Sequence, residues 1–231
     1  MTETLTVGSP PITVAVRRSA RARRLTLRVS SVDGAAVLTV PARVGRRTVD
    51  AFLDERTAWL REAQTRAPAP VVVGPGSNLP IEGRMCVITR SAGGPLRLEG
   101  DWLYVPGQEA RVGARVLAWI KHGALDRVAA SADHHAARIG RSVSRITLRD
   151  TRSRWGSCTT EGNIMLSWRL FLAPPEILDY VVAHEVAHLE EMNHAPAFWR
   201  IVQELCPDYE SHRGWLHSHG AELHRYRFAP L

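Results

Sequence analysis

The stretch Tyr180-Val181-Val182-Ala183-His184-Glu185-Val186-Ala187-His188-Leu189, with His194 six residues beyond His188, decides how this chain is read. On a helix, His184 and His188 stand one turn apart, about 40° around the axis, so both imidazoles can reach one cation. Glu185, beside the first of them, is placed to reach a metal-activated water rather than the metal. That is the arrangement of a zinc hydrolase. Val181, Val182, Ala183, Val186, Ala187 and Leu189 make the segment apolar almost all round, which predicts a buried helix. Two imidazoles and a carboxylate buried among aliphatic side chains are costly unless something satisfies them, and a cation does so directly.

The helix has readable ends. Ala173-Pro174-Pro175-Glu176 supplies a first-turn proline and an early acid, and Asn193 and Pro196 fall where the helix should stop. His194 then comes from the turn beyond the helix, free to swing back as a third ligand and leave a fourth position open for water. Other third ligands are available to the sequence. Glu204, Asp208 and Glu210 lie at the distances some HExxH enzymes use, and His212, His217, His219 and His224 follow on an amphipathic C-terminal helix. Glu190 and Glu191 read as a solvated last turn.

Several ordered motifs surround this helix: Arg152-Ser153-Arg154-Trp155-Gly156-Ser157-Cys158, then Asn163-Ile164-Met165-Leu166-Ser167-Trp168-Arg169-Leu170, then Met192-Asn193-His194-Ala195-Pro196-Ala197-Phe198-Trp199. Together with Tyr180 to His188 they resemble the YgjP-like metallopeptidase family and, more distantly, the SprT-like proteases. The likeness is dense over residues 144 to 205 and looser before, where Arg17 to Val40 resembles the family's N-terminal strands. What the resemblance implies is a zinc-dependent hydrolase with His184, His188 and His194 as metal ligands and Glu185 as catalytic base. It leaves the substrate open: members are labelled peptidases, whereas a bacterial relative is described as hydrolysing UTP to release pyrophosphate.

Substrate-binding candidates are Tyr180, Arg152, Arg154, Arg169 and Asn163. Tyr180 falls four residues before His184, on the same helical face, where it can orient a ligand, touch substrate or simply pack. Guanidinium groups suit carboxylates and phosphates bidentately, but an ion pair with an acid such as Asp150 serves Arg152 or Arg154 equally. Asn163 to Trp168 reads as a strand. At the edge of a sheet beside the metal it would let an extended peptide add a strand, whereas a nucleotidase needs arginines converging near the metal.

Composition sets the frame. The 231 residues, 45% hydrophobic, suffice for a substantial core. The sequence shows no apolar run of membrane-spanning length and no signal-peptide pattern at Met1-Thr2-Glu3-Thr4, so a cytoplasmic protein without membrane contact is expected. Cys86, Cys158 and Cys206 form no CxxC pair, and Cys158 reads as a packing residue rather than a nucleophile or ligand. The net charge of +7 comes almost entirely from arginine. The cluster Arg17, Arg18, Arg21, Arg23, Arg24 and Arg28 makes nucleic acid a conceivable partner, but without a recognised motif or aromatic platform a solvated strand face is the preferred reading. Polypeptide or nucleotide is the expected substrate, and the oligomeric state is not legible.

Along the chain, strands are predicted at 12–17, 23–30 and 35–40, a helix at 46–65, a linker at 67–78, and a second set of strands at 80–105. A long helix at 108–139 precedes the catalytic segment, and helices at 195–205 and 208–222 follow it. The two β-rich segments flanking the linker suggest a distant duplication. The expected architecture is α+β: a β-rich N-terminal section with one helix at 1–106, then a zincin-like hydrolase domain at 107–231 carrying the HExxH helix and a small mixed sheet.

Overall fold

The computed structural model describes residues 3–228, and the chain divides into two compact units, residues 1–70 and 71–231. The first holds β1 (Glu3–Val7), β2 (Ile12–Ser19), β3 (Thr26–Val29), β4 (Ala36–Pro41), α1 (Arg46–Glu55) and α2 (Thr57–Thr65). Its sheet runs β1-β2-β4-β3, with β2 and β4 parallel and both outer pairings antiparallel. Alternation fixes the buried face: Ile12, Val14 and Val16 of β2 and Ala36, Leu38 and Val40 of β4 point into one core with Val49 and Leu53 of α1 and Leu60 of α2. The single helix expected over 46–65 is two. The backbone of Arg56 leaves helical geometry (φ −98°, ψ 3°), and the Thr57 hydroxyl donates to the Leu53 carbonyl at 3.0 Å, competing with the helical ladder.

The second unit begins inside the predicted linker. There β5 (Val71–Val72) pairs in parallel with the last strand, β13 (Tyr226–Arg227). Next come β6 (Asn78–Ile81), β7 (Arg84–Ser91), β8 (Arg97–Glu99) and β9 (Trp102–Pro106), in the order β6-β7-β9-β8. Strand order and senses repeat those of the first sheet, antiparallel, parallel, antiparallel, which is the structural counterpart of the suspected duplication. The compact unit starts at Val71 rather than near 107. The reason is packing: Leu79, Ile88, Leu103 and Val105 of this sheet share a core with Val112, Val116 and Ile120 of α3 (Val112–Arg138) and with Phe171 and Leu172.

A third, small sheet follows, with β10 (Arg145–Arg149), β11 (Gly156–Cys158) and β12 (Asn163–Ser167) ordered β10-β12-β11. The strand at 163–167 is therefore central, not an edge; the edge beside α4 (Pro175–Ala187) is the three-residue β11. α5 (Pro196–Leu205) and α6 (Tyr209–Leu223) pack against α4. The whole is α+β, as expected.

Two devices hold α4. At its start, the turn Glu82-Gly83 of the β6–β7 hairpin donates backbone N–H groups to the Phe171 and Leu172 carbonyls. Gly83 sits at φ +78°, and a Cβ there would fall 2.9 Å from Pro174 Cα, so glycine is needed for both conformation and space. Along its length, Asp179 accepts a hydrogen bond from Ser131 Oγ of α3 at 2.6 Å and faces His135 Nε2 at 3.0 Å. Burial alone would raise the Asp179 pKa, but these hydrogen bonds outweigh it and hold the carboxyl below its ordinary range.

Candidate metal centre

α4 is regular from Pro175 to Ala187 and ends on His188, about one turn earlier than Asn193 and Pro196 suggest. His188 still has helical backbone angles (φ −67°, ψ −13°), so the four-residue spacing works and its ring lies 5.2 Å from that of His184. The loop then returns. Asn193 Oδ1 accepts from the Ala195 N–H at 2.9 Å, a turn that presents His194 to the helix. Its Nε2 lies 3.1 Å from His184 Nε2, and one ligating atom from each of the three histidines falls within 4.8 Å of the others. Phe198 from α5, wholly buried, forms the floor: its ring centroid is 4.4 Å from His188, 4.7 Å from His194 and 4.9 Å from His184.

The donor chemistry fits a divalent cation. Burial first, then the neighbouring His188, His194 and Arg213, push the His184 pKa down to about 3, and burial lowers His188 against the pull of the Glu191 carbonyl, so both rings are neutral near pH 7. His188 Nδ1 lies 2.9 Å from the Glu191 carbonyl oxygen, which fixes the proton on Nδ1 and leaves the Nε2 lone pair free. His184 Nδ1 is buried with no partner among the described residues, so the polar contact of this ring is made through Nε2. The Nε2 atoms of His184 and His194 face each other at 3.1 Å. The separation is close to the roughly 3.3 Å between two ligands of a tetrahedral zinc site, and a cation satisfies both lone pairs.

Glu185 is buried beside this cluster. Its pKa is pushed up to about 8 by burial, against the opposing charge of Arg154. Gly156 of β11 packs directly on its carboxylate. Cys158, two residues on, is held protonated, its pKa pushed up to about 11 by burial and then by Glu185, which matches a packing residue.

The remaining candidates divide. Arg154 and Asn163 line one cavity of about 540 Å³, together with Arg149, Thr151, Ser157 and Thr159. Tyr180 is buried, its ring 6.1 Å from His184 and its pKa pushed up to about 12 by burial, so it packs against a candidate ligand. Arg169 does not face the site. Only 5% exposed, it grips Asp150 through two hydrogen bonds at 2.6 and 3.1 Å and donates to the Leu223 and Tyr226 carbonyls, tying β10 to the C-terminal strand. Four of its five N–H donors are thus engaged in structure. Arg152 is exposed and contributes charge near His224. Among the described residues the ligand cluster contains none of the alternatives considered for the third position: Glu204, Asp208, Glu210 and His217 fall outside it, His212 meets Cys206 Sγ at 3.5 Å, His219 stacks on Trp215, and His224 lies against Trp155, while Glu190 of the solvated turn pairs with Arg141.

Arg213 of α6 escapes a sequence reading. Its guanidinium lies over the Trp199 ring at 5.1 Å, and its charge acts on both Tyr180 and His184. A single arginine on an amphipathic helix carries no local signal of that position.

The model of the YgjP-like metallopeptidase domain matches residues 23–219. The chain belongs to the YgjP-like metallopeptidase family. Membership makes it a metal-dependent hydrolase and implies a divalent metal, for which the three-histidine cluster is available. A solved metallopeptidase zymogen, abylysin of Pyrococcus abyssi, is 22% identical, with 39% of this chain and 93% of that chain covered and a TM-score of 0.34. No curated protein matches this family member significantly. Among the described residues, no helix is long and apolar enough to cross a membrane.

Proposed function

We propose that this protein is a zinc-dependent metallopeptidase in which His184, His188 and His194 hold the metal and Glu185 is the general base. The observation that carries the reading is the convergence of three imidazoles on one point, with a buried carboxyl group next in sequence to the first. Bound there, zinc would supply Lewis-acid activation of water and of the scissile carbonyl, and three protein ligands leave a position open for that chemistry. Glu185 takes the proton of the attacking water and returns it to the leaving amine. Gly156 keeps the space that the carboxylate occupies. His188 is oriented by the Glu191 carbonyl, and Arg154, whose charge acts on Glu185, is the arginine that would meet substrate.

Polypeptide is favoured over nucleotide by the arrangement around β11. Among the described residues this strand pairs on one side only, with β12, and it lies against the Glu185 carboxylate. Its free edge suits an extended peptide added as a further strand. The arginine convergence that a triphosphate requires is weakened by the engagement of Arg169 with Asp150.

A parallel assay of metal-loaded protein on denatured casein and on UTP tests this. Peptide release abolished in Glu185→Gln is the expected result. Pyrophosphate release abolished by His188→Ala, with casein untouched, would replace the peptidase reading by a nucleoside triphosphate pyrophosphatase using the same site.

A further inference from the structure

The positive charge of the chain is concentrated in one unit. Residues 1–70 carry twelve arginines and six carboxylates, +6 of the total +7, so residues 71–231 are close to neutral. Ion pairs in this unit engage Arg18, Arg46 and Arg66, whereas Arg24 and Arg56 form none among the described residues.

The fold adds what the sequence hides. Between β3 and the junction of α1 and α2 lies a cavity of about 290 Å³ with Arg24 on one side and Phe52, Arg56 and Trp59 on the other; no acidic residue lines it. Trp59 is 44% exposed, and the Arg56 guanidinium lies over the Phe52 ring at 5.5 Å. These residues are some thirty positions apart in sequence, so neither the aromatic nor the basic stretch looks like a platform until β3 packs beside α2.

We propose that this face binds single-stranded nucleic acid, with a base stacked on Trp59 and the flanking phosphates held by Arg24 and Arg56. Every base offers a π-face to an exposed indole, and planar guanidinium groups pair bidentately with phosphate. An acidic peptide would satisfy the arginines but leave the indole uncovered. A duplex keeps its bases stacked inside, and a cavity of this size takes one base rather than a helix. The hydrolytic site lies in the other unit, so this binding and the peptidase reading stand or fall separately.

The test is fluorescence anisotropy of the full-length protein with short labelled oligo-dT and oligo-rU at low salt, with duplex DNA and heparin as polyanions that offer no free base. Trp59→Ala should weaken single-strand binding about tenfold and Trp59→Phe should restore most of it, while heparin binding stays unchanged. Arg24→Glu combined with Arg56→Glu should weaken all polyanions and lower the salt slope by about two. Circular dichroism and melting of Trp59→Ala should match the wild type, since the ring is exposed. Tighter dT or rU binding identifies the natural strand as DNA or RNA, and either supports the proposal. Wild-type affinity in Trp59→Ala, equal loss of heparin binding in that variant, a preference for duplex, or no binding of either oligomer would overturn it.

Discussion

Gly156 and Glu185 meet so closely that no side chain fits at position 156: a Cβ there would stand 2.7 Å from both Cγ and Cδ of the glutamate. The edge strand nearest the histidine cluster thus has its backbone against the proposed base, and the carboxylate occupies the volume a side chain would take. Gly156→Ala is expected to push the carboxylate aside while leaving the three histidines in place. A displacement on the order of 1 Å costs about 100-fold in rate. Metal content measured beside kcat and KM checks this, with full metal, lowered kcat and little change in KM predicted. A wild-type kcat would show that the contact does not position the base.

Removal of the base without removal of its shape is the companion experiment. Glu185→Gln should retain metal and lose about 100- to 10,000-fold in kcat, the span general bases contribute. Unchanged turnover in that variant would take Glu185 out of the mechanism.

His224 gives the fold an acid-sensitive point away from the histidine cluster. It is buried against Trp155, and burial, reinforced by Arg169, pushes its pKa down to about 4. The neutral ring is the form the fold accepts. Its contribution to stability is therefore complete above the unfolded value of about 6.5 and is lost as pH falls from there towards 4, by roughly 3 kcal/mol at most. Urea unfolding at neutral pH and near pH 4.5 should show the wild type losing more stability than His224→Gln. Equal losses in the two proteins would remove His224 as the cause.

Phe198 couples stability to the site. Because its ring is fully buried under all three histidines, Phe198→Ala is expected to cost about 3–5 kcal/mol in urea unfolding and to loosen metal retention as well. Lost stability with undiminished metal affinity would mean that the floor does not shape the cluster.

What could be read in the sequence was periodic or chemically dense. Residues 181–189 show an apolar run interrupted only by His184, Glu185 and His188, α3 a long apolar face, and β2 and β4 strict alternation; each signal is contained in one segment. What could not be read depends on contacts between segments. β11 is three residues long, too short for periodicity, yet it rather than β12 is the edge beside Glu185. Arg169 looked like its neighbours Arg152 and Arg154 until the fold brought Asp150 and two C-terminal carbonyls to it. The break at Arg56 and the beginning of the second unit at Val71 likewise follow from packing and not from propensity.

The central claim is one divalent ion held by three imidazoles with an open position. Zinc X-ray absorption on the loaded protein tests it most directly, read beside metal stoichiometry and repeated on His194→Ala. The account predicts one zinc per chain with three nitrogen ligands and one light-atom ligand at about 2.0–2.1 Å, and loss of one nitrogen or of the metal in the variant. A sulfur ligand, a fourth imidazole, or a wild-type spectrum in His194→Ala would contradict it.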